Sequence, residues 1–328
     1  MQQTAARPSS GPDEGYTAAR EQAAEFAMRE RALLAVTGPL RQKFLHDVLS
    51  NDVAGRRPGQ GCLAALMDPK GHLLALLRVL VGADTVWLET LADGLGELER
   101  TLVHYRVAAP VRFEPRRTAM HALVGPLARE VLSRAGCAVA ELGPEEHVTA
   151  RLADREVRLT RATDLPGLGF VVHAPADGAA EVHTALRAAG AAPLSSGALD
   201  ALRVERGRPW FGVDVTPENL LHETGLVREY HSPTKGCYVG QEVIARLEAR
   251  GGHVSRALRG LRLSAPTTAG AAIRADGKDI GRVTTAAVSP RLGPIGMGYV
   301  HRSRFEPGTV VEVEGAPATV TALPLEAP

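Results

Sequence analysis

The chain has 328 residues, a hydrophobic fraction of 45% and nearly balanced charge, with 38 basic and 37 acidic side chains. That length predicts two or three domains rather than one small core, and a net charge of +1 argues against direct nucleic-acid binding. Three widely separated cysteines, Cys62, Cys137 and Cys237, predict no disulfide framework and favour a reducing compartment.

The ends and the apolar runs of the sequence bear on location. Residues 1–15 are polar and predict a flexible tail without a secretory signal. The longest apolar run, residues 73–81, contains Arg78 and is far too short to span a bilayer. We therefore expect a soluble, cytoplasmic protein that has no membrane partner.

In the first third of the chain, hydrophobic periodicity and turn residues define successive elements. Pro39 suits the first turn of a helix, and the sequence Asp68-Pro69-Lys70-Gly71 between two apolar runs is typical of a type I turn. The pattern predicts, in order, a helix at 37–52, a hairpin at 62–81, a strand at 85–90 and a helix at 94–106.

The rest of the chain divides into two parts. Up to about residue 250, helical and strand patterns mix without regular βαβ alternation, which favours an α+β class. From about Gly252, short β runs are separated by turn signals such as Asp276-Gly277 and Pro307-Gly308. This C-terminal part predicts a separate small barrel or sandwich.

Several chemical signatures are absent from the sequence. It contains no GxxxxGK[ST] phosphate loop, no HExxH and no paired CxxC. The run GPIGMG at 293–298 leads into a β pattern, so it offers no helix N-terminus for a phosphate. The eleven histidines are scattered, and we interpret His46, His104 and His222 as surface or packed residues. The sequence predicts no metal ligands.

The predicted helix at 198–207 places charges beside an apolar face. Leu199 and Leu202 define that face, and Arg203, Glu205 and Arg206 follow them at helical spacing. Charged groups in such positions need partners, because an unpaired buried charge is costly. Two interpretations remain open: an internal salt bridge or snorkelling arginine, and a carboxylate that accepts hydrogen bonds from a flat heterocycle.

The segment KGCYVGQEVIAR at 235–246 places Cys237 just before a predicted helix. The positive end of a helix and the nearby Lys235 both favour a thiolate, and Gly236 and Gly240 allow unusual backbone conformations. A buried structural cysteine in a tight turn is the alternative. We interpret Cys62, in a β run, and Cys137, after a helix end, as structural.

This segment closely resembles the K-G-C-Y-x-G-Q-E signature of YgfZ-type folate-binding proteins, which belong to the superfamily of the glycine-cleavage T-protein, an aminomethyltransferase. Segments 33–53, 202–214 and 281–300 are similar to further parts of that superfamily, in the same order. The resemblance extends over about residues 16–325.

The resemblance implies a T-protein-like ring of three domains that holds tetrahydrofolate or another folate derivative. We expect a tail at 1–15, a discontinuous folate-binding domain at 16–52 plus 116–250, an inserted α+β domain at 53–115 and a C-terminal β-barrel at 252–328. It also implies that Glu205 faces the pterin, with Arg203 and Asp214 as further folate-binding residues. The residues implied at the cysteine site are Cys237 and Lys235, with a motif turn of Gly236, Tyr238, Gly240, Gln241, Glu242 and Arg246.

The family resemblance further implies a role in iron–sulfur cluster assembly or repair, with A-type scaffold proteins and iron–sulfur client enzymes as partners. Aminomethyltransferases carry an aspartate that engages the reacting folate nitrogen, but the matching stretch here, residues 70–79, has no carboxylate. We therefore expect a tetrahydrofolate-binding accessory protein with Cys237 as its functional thiol. The alternative is a folate-dependent aminomethyltransferase or demethylase acting on a small amine, so the sequence leaves open whether the chain is an enzyme.

Overall fold

The computed structural model describes residues 14–137, 139 and 141–325. Residues 1–13 of the predicted tail lie outside the described residues, whereas residues 14 and 15 begin a helix. Helices and strands are mixed up to residue 249, and the described residues beyond form strands without helices. The predicted α+β class is therefore confirmed.

The helices and strands fall into three groups along the chain. The first group comprises α1 (Glu14–Glu21), β1 (Ala24–Ala27), β2 (Arg31–Thr37), α2 (Arg41–Val48), β3 (Gly61–Met67), β4 (Leu73–Val81), β5 (Thr85–Leu91), α3 (Leu95–Arg106) and β6 (Arg112–Arg116). The second comprises β7 (Thr118–Val124), α4 (Ala128–Arg134), β8 (His147–Leu152), β9 (Arg155–Ala162), β10 (Gly169–Pro175), α5 (Ala179–Ala188), β11 (Ala192–Pro193), α6 (Ser196–Glu205), α7 (Val227–Tyr230) and α8 (Gln241–Ala249). The third comprises β12 (Arg256–Leu263), β13 (Ala272–Ala275), β14 (Lys278–Ser289), β15 (Gly293–His301), β16 (Val310–Val313) and β17 (Ala316–Thr321).

Strands β2 to β6 form a five-stranded antiparallel sheet in the order β3-β4-β5-β2-β6. The predicted hairpin is its β3–β4 pair, and Gly71 closes the turn with a φ of 81°. Helices α2 and α3 cover one face through side chains such as Leu45 and Leu98. Strand β2 lies outside the predicted insert at 53–115, so the sheet extends beyond that segment.

A second, six-stranded sheet has the order β11-β1-β7-β10-β9-β8. Because side chains alternate along a strand, its two faces carry separate cores. Leu123 and Phe170 face α4 and α5 on one side, whereas Met120 and Val171 face α1 and α6 on the other. This sheet and its four helices are therefore a layered unit with helices on both faces.

The C-terminal strands close into a six-stranded barrel in the order β12-β15-β14-β13-β16-β17. The predicted C-terminal β-barrel is thus confirmed. The GPIGMG run lies within β15, so it is part of a strand, as its sequence context predicts.

The segment between α6 and the barrel packs on the face of the β3–β4 hairpin that α2 and α3 leave open. There, Leu73 and Leu76 of the hairpin pack with Tyr230 of α7, with Tyr238 of the loop that follows it and with Ile244 of α8. This contact positions the cysteine motif. Among the described residues, no helix has the length and apolar character needed to cross a membrane.

Candidate functional site

The cysteine motif forms a loop between α7 and α8 that is anchored against the β3–β4 hairpin. Gly240 has a φ of 80°, and a Cβ at this position would lie 2.7 Å from the carbonyl oxygen of Asp68. The backbone N–H of Tyr238 donates to Gln241 Oε1 at 3.1 Å, and the Tyr238 side chain is buried. Since only glycine tolerates both this φ and this approach, Gly240 fixes the loop on the hairpin.

Lys235 joins the same loop to the end of α2. Its ammonium group donates to the carbonyl oxygen of Leu49 at 2.5 Å and to the carbonyl oxygen of His46, and it lies 4.5 Å from the centre of the Tyr238 ring. Burial lowers the pKa of Lys235 to about 8. The ammonium group therefore donates hydrogen bonds to carbonyl groups at the end of α2. The sequence predicted a different role, in which Lys235 favours the thiolate of Cys237.

Cys237 is exposed, whereas Cys62 and Cys137 are buried. Burial raises the pKa of the Cys62 thiol to about 12 and raises the pKa of Cys137 as well, which agrees with their structural interpretation. The alternative of a buried structural Cys237 is excluded. The predicted motif residues Gly236, Glu242 and Arg246 are exposed too.

Helix α6 begins at a conventional cap, because Ser195 Oγ accepts a hydrogen bond from the N–H of Ala198. Its Arg203 is 1% exposed and donates to Asp214 Oδ2 at 2.8 Å. Asp214 Oδ1 in turn accepts from the hydroxyl groups of Thr284 and Thr285 on β14. Two of the three predicted folate-binding residues thus pair with each other and join α6 to the barrel.

Glu205, at the end of α6, is completely buried and is held by protein donors. Its Oε1 accepts from the Tyr16 hydroxyl at 2.7 Å and from the Ser289 hydroxyl at 2.5 Å. Its Oε2 accepts from the Arg20 guanidinium at 2.8 Å. Burial and the hydrogen bond to Glu205 raise the pKa of Tyr16. Glu205 therefore connects α1, α6 and the barrel.

A cavity of about 930 Å³ lies between the ends of α1 and α6, the loop 165–168, the segment 224–229 and the barrel. Its wall is largely apolar but includes four arginines, Arg20, Arg206, Arg208 and Arg259. Glu205, Arg203 and Asp214 lie behind this wall, because none of them lines the cavity. Glu205 is connected to the cavity only indirectly, because Arg20 lines the cavity and donates a hydrogen bond to Glu205.

The arginines of this cavity differ in their contacts. Arg208 makes a bidentate pair with Glu229 at 2.8 and 2.9 Å. Arg206 Nε is buried and has no hydrogen-bond partner within the described residues. A buried donor without an acceptor is costly, and the Arg206 guanidinium forms no ion pair with a described carboxylate, whereas that of Arg208 does.

A second buried polar cluster lies between the two sheets and was not predicted from the sequence. Arg78 on β4 is 1% exposed and donates to Glu89 at 2.6 Å, to Glu145 at 2.7 Å and to Asp164. Although burial raises it, Arg78 and His173 hold the pKa of Glu89 well below its ordinary value. The only sequence signal for this cluster is an arginine inside an otherwise apolar strand.

The structure therefore separates the predicted residues into two sites. Lys235, Tyr238 and Gly240 surround the exposed Cys237 beside the hairpin, whereas Glu205 lies behind the arginine-lined cavity. The cavity itself was not predicted, because its wall comes from segments that are far apart in the sequence.

Comparison with protein families gives two matches. A model of the GCVT N-terminal domain matches residues 8–230. A model of the glycine cleavage T-protein C-terminal barrel domain matches residues 256–328.

Individual relatives agree with these matches. A probable aminomethyltransferase of Halobacterium salinarum is 30% identical, with 94% of this chain and 89% of that protein aligned. An aminomethyltransferase of Bacillus velezensis is 27% identical, with 94% and 87% aligned. A chloroplastic protein of Arabidopsis thaliana, named as a transferase, is 27% identical; the alignment covers 85% of this chain but 66% of that protein, just under two thirds.

Among solved structures, the glycine cleavage system aminomethyltransferase T of Bartonella henselae has the same fold. The TM-score is 0.86, the identity is 24%, and the alignment covers 95% of this chain and 89% of that chain. At this identity the likeness concerns the fold alone.

Proposed function

Since this chain belongs to the family of the glycine cleavage T-protein, we propose that it binds a tetrahydrofolate in the arginine-lined cavity. We propose further that it is of the YgfZ type and acts in iron–sulfur cluster assembly or repair through the thiol of Cys237. The iron–sulfur role is supported by one observation: Cys237 is exposed on a loop that Lys235 holds to the end of α2 and Gly240 holds to the hairpin.

The residues of the cavity fit a folate. A folate combines flat ring systems with a glutamate that carries carboxylates, and the wall combines apolar side chains such as Leu165 and Leu202 with four arginines. The guanidinium of Arg206, which lines the cavity, would hold a carboxylate by a charge-assisted hydrogen bond. The volume of about 930 Å³ is within the range of small-molecule sites.

The role of Glu205 at the pterin stays a prediction. Because Tyr16, Arg20 and Ser289 already hold its carboxylate, we expect Glu205 to act by fixing Arg20 at the cavity wall. Arg203 and Asp214 would support the wall in the same indirect way.

Cys237 can supply one ligand to an iron–sulfur cluster, whereas such clusters usually need four. A cluster handled at this position would therefore be a substrate shared with a partner. We expect that partner to be an A-type scaffold protein or an iron–sulfur client enzyme. The exposed position of Cys237 leaves its thiol open to a cluster presented by another protein.

The experiment for the iron–sulfur role is aconitase activity in source cells that lack this chain. We expect wild type and Cys62→Ala to restore the activity and Cys237→Ala to fail, with equal amounts of each protein in the cells. Equal rescue by Cys237→Ala would contradict a functional thiol. Undiminished aconitase activity after deletion would contradict the iron–sulfur role itself.

Folate binding is tested separately by calorimetry with 5-formyl-tetrahydrofolate. Arg206→Gln should weaken binding about tenfold or more, because a hydrogen bond to a charged group contributes about 1.5–3 kcal/mol. Arg262→Gln, on the exposed face of β12, is the matched control and should bind like wild type. No binding to wild type would contradict the cavity assignment.

A second candidate is a folate-dependent aminomethyltransferase or demethylase that acts on a small amine. The names of the Halobacterium and Bacillus relatives favour it, whereas β4 has no carboxylate that could assist proton transfer. Formation of 5,10-methylene-tetrahydrofolate from an aminomethyl donor would support this reaction. No product with any of the amines tested would remove it.

A further inference from the structure

Away from the cavity and the motif loop, the fold gathers two histidines around one carboxylate. His121 Nδ1 lies 2.6 Å from Glu25 Oε1, and His183 Nδ1 lies 3.1 Å from Glu25 Oε2. The candidate ligand atoms of all three residues lie within 4.8 Å of one another. The sequence alone predicts no metal ligands, because the three residues are far apart along the chain.

The sheet and α5 together build this cluster. Strands β1 and β7 are antiparallel, with Glu25 opposite Leu123 and Ala27 opposite His121. Glu25 and His121 therefore lie diagonally on one face of the sheet. Helix α5 packs on that face through Val182, and the next residue of the helix, His183, lies beside Glu25.

The three side chains of this cluster differ in burial. The side chains of Glu25 and His121 are 2% and 5% exposed, whereas that of His183 is 50% exposed. The cluster therefore has a nearly inaccessible carboxylate and one solvent-facing side at His183.

We propose that Glu25, His121 and His183 bind a divalent transition-metal ion, and that Zn²⁺ is the ion this donor set suits best. Two imidazoles and one carboxylate are a known zinc donor set, with a fourth position open to water. Ligands about 2.1 Å from the ion lie about 3.4 Å apart in a tetrahedron. The present separations of 2.6 and 3.1 Å, each to a different oxygen of Glu25, are shorter, so the bound ion requires the two rings to move away from the carboxylate.

Binding also defines the protonation of the rings. Each Nδ1 must carry its lone pair toward the ion, so each ring must be the tautomer protonated on Nε2. Because His183 is half-exposed, the ion can enter from solvent on that side. A water molecule can occupy the fourth position there. The bound ion would fix α5 to the centre of the six-stranded sheet. This inference does not depend on the proposed function.

The test uses the untagged full chain after treatment with a chelator. Zn²⁺ is titrated by calorimetry, and Co²⁺ is titrated by visible absorption, into wild type, His183→Ala, His183→Cys and His104→Ala. The last variant is the matched control, because His104 is an exposed helix histidine away from the cluster. Circular dichroism establishes that each variant is folded.

We expect wild type and His104→Ala to bind one Zn²⁺ per chain with equal affinity. His183→Ala should bind at least about 100-fold more weakly, since even changes outside the ligand shell cost 10–100-fold. His183→Cys should recover most of the affinity and add a thiolate-to-cobalt absorption band, because cysteine is also a zinc ligand.

Three results would overturn the proposal. The first is a wild-type chain that takes up no Zn²⁺ at stoichiometric concentration, and the second is a His183→Ala chain that binds Zn²⁺ as well as wild type does. The third is a His183→Cys chain that binds Co²⁺ without a thiolate-to-cobalt absorption band, which would show that the side chain at this position does not contact the ion.

Discussion

The ammonium group of Lys235 lies 2.5 Å from the carbonyl oxygen of Leu49, so the loop that carries Cys237 also completes the end of α2. The carbonyl groups of the last helical turn have no donors within the helix, and a cation at this end interacts favourably with the helix dipole. The conformation around the thiol is consequently coupled to the packing of α2 against the five-stranded sheet.

Lys235→Met should lower the free energy of unfolding by about 1–2 kcal/mol, because two helix-end carbonyl groups lose their hydrogen-bond donor. Urea unfolding at neutral pH measures this change. Lys43→Met is the control, since Lys43 is exposed and its pair with Asp47 is of a kind worth about 0.3–0.5 kcal/mol. Equal effects of the two substitutions would contradict the capping role of Lys235.

The same lysine predicts a pH dependence. Burial lowers the pKa of Lys235 to about 8, whereas lysine in an unfolded chain titrates at about 10.4. Between about pH 8 and pH 10, the unfolded chain therefore binds more protons at this position, so the free energy of unfolding rises with pH. Urea unfolding across this range should show wild type gaining stability relative to Lys235→Met; a constant or shrinking difference would contradict the lowered pKa.

Two glycines of the motif should respond differently to alanine. Gly240→Ala should lower the free energy of unfolding by about 1–3 kcal/mol, because its φ is 80° and the new Cβ would lie 2.7 Å from the carbonyl oxygen of Asp68. Gly236→Ala should be nearly neutral, because a Cβ at that position would have no other atom within 4 Å among the described residues. Thermal unfolding of both variants compares them, and equal melting temperatures would show that Gly240 is not required for the close approach.

Local patterns predicted much of the fold, and the reason is that their signals are contained in a few neighbouring residues. The Asp68–Gly71 turn indicated the hairpin, and the turn-separated β runs indicated a small barrel or sandwich. The partners of Glu205 could not be predicted in this way, since Tyr16 and Ser289 lie 189 and 84 positions from it along the chain. The charge beside an apolar helix face indicated only that some partner was required.

Arg78 gives a similar contrast. Its place in an apolar strand indicates a buried charge, but the three carboxylates that surround it come from other strands and loops. Arg78→Met should lower the free energy of unfolding by about 3–5 kcal/mol, because it leaves buried carboxylates without their cation. Arg100→Met removes an exposed pair with Glu97 and should change stability by less than about 1 kcal/mol. Urea unfolding of both variants measures these changes in the free energy of unfolding. Similar small losses would show that solvent or protonation of the carboxylates compensates for the missing guanidinium group.

The exposure of Cys237 predicts selective thiol chemistry. In the native state, a thiol reagent such as dithiobis(nitrobenzoic acid) should react with one thiol per chain, because Cys62 and Cys137 are buried and burial raises the pKa of both thiols. Cys237→Ala should abolish this rapid reaction, and addition of urea should expose two further thiols in that variant. Rapid labelling of Cys237→Ala without denaturant would mean that a second thiol is accessible, and the assignment of iron–sulfur chemistry to Cys237 alone would lose its structural basis.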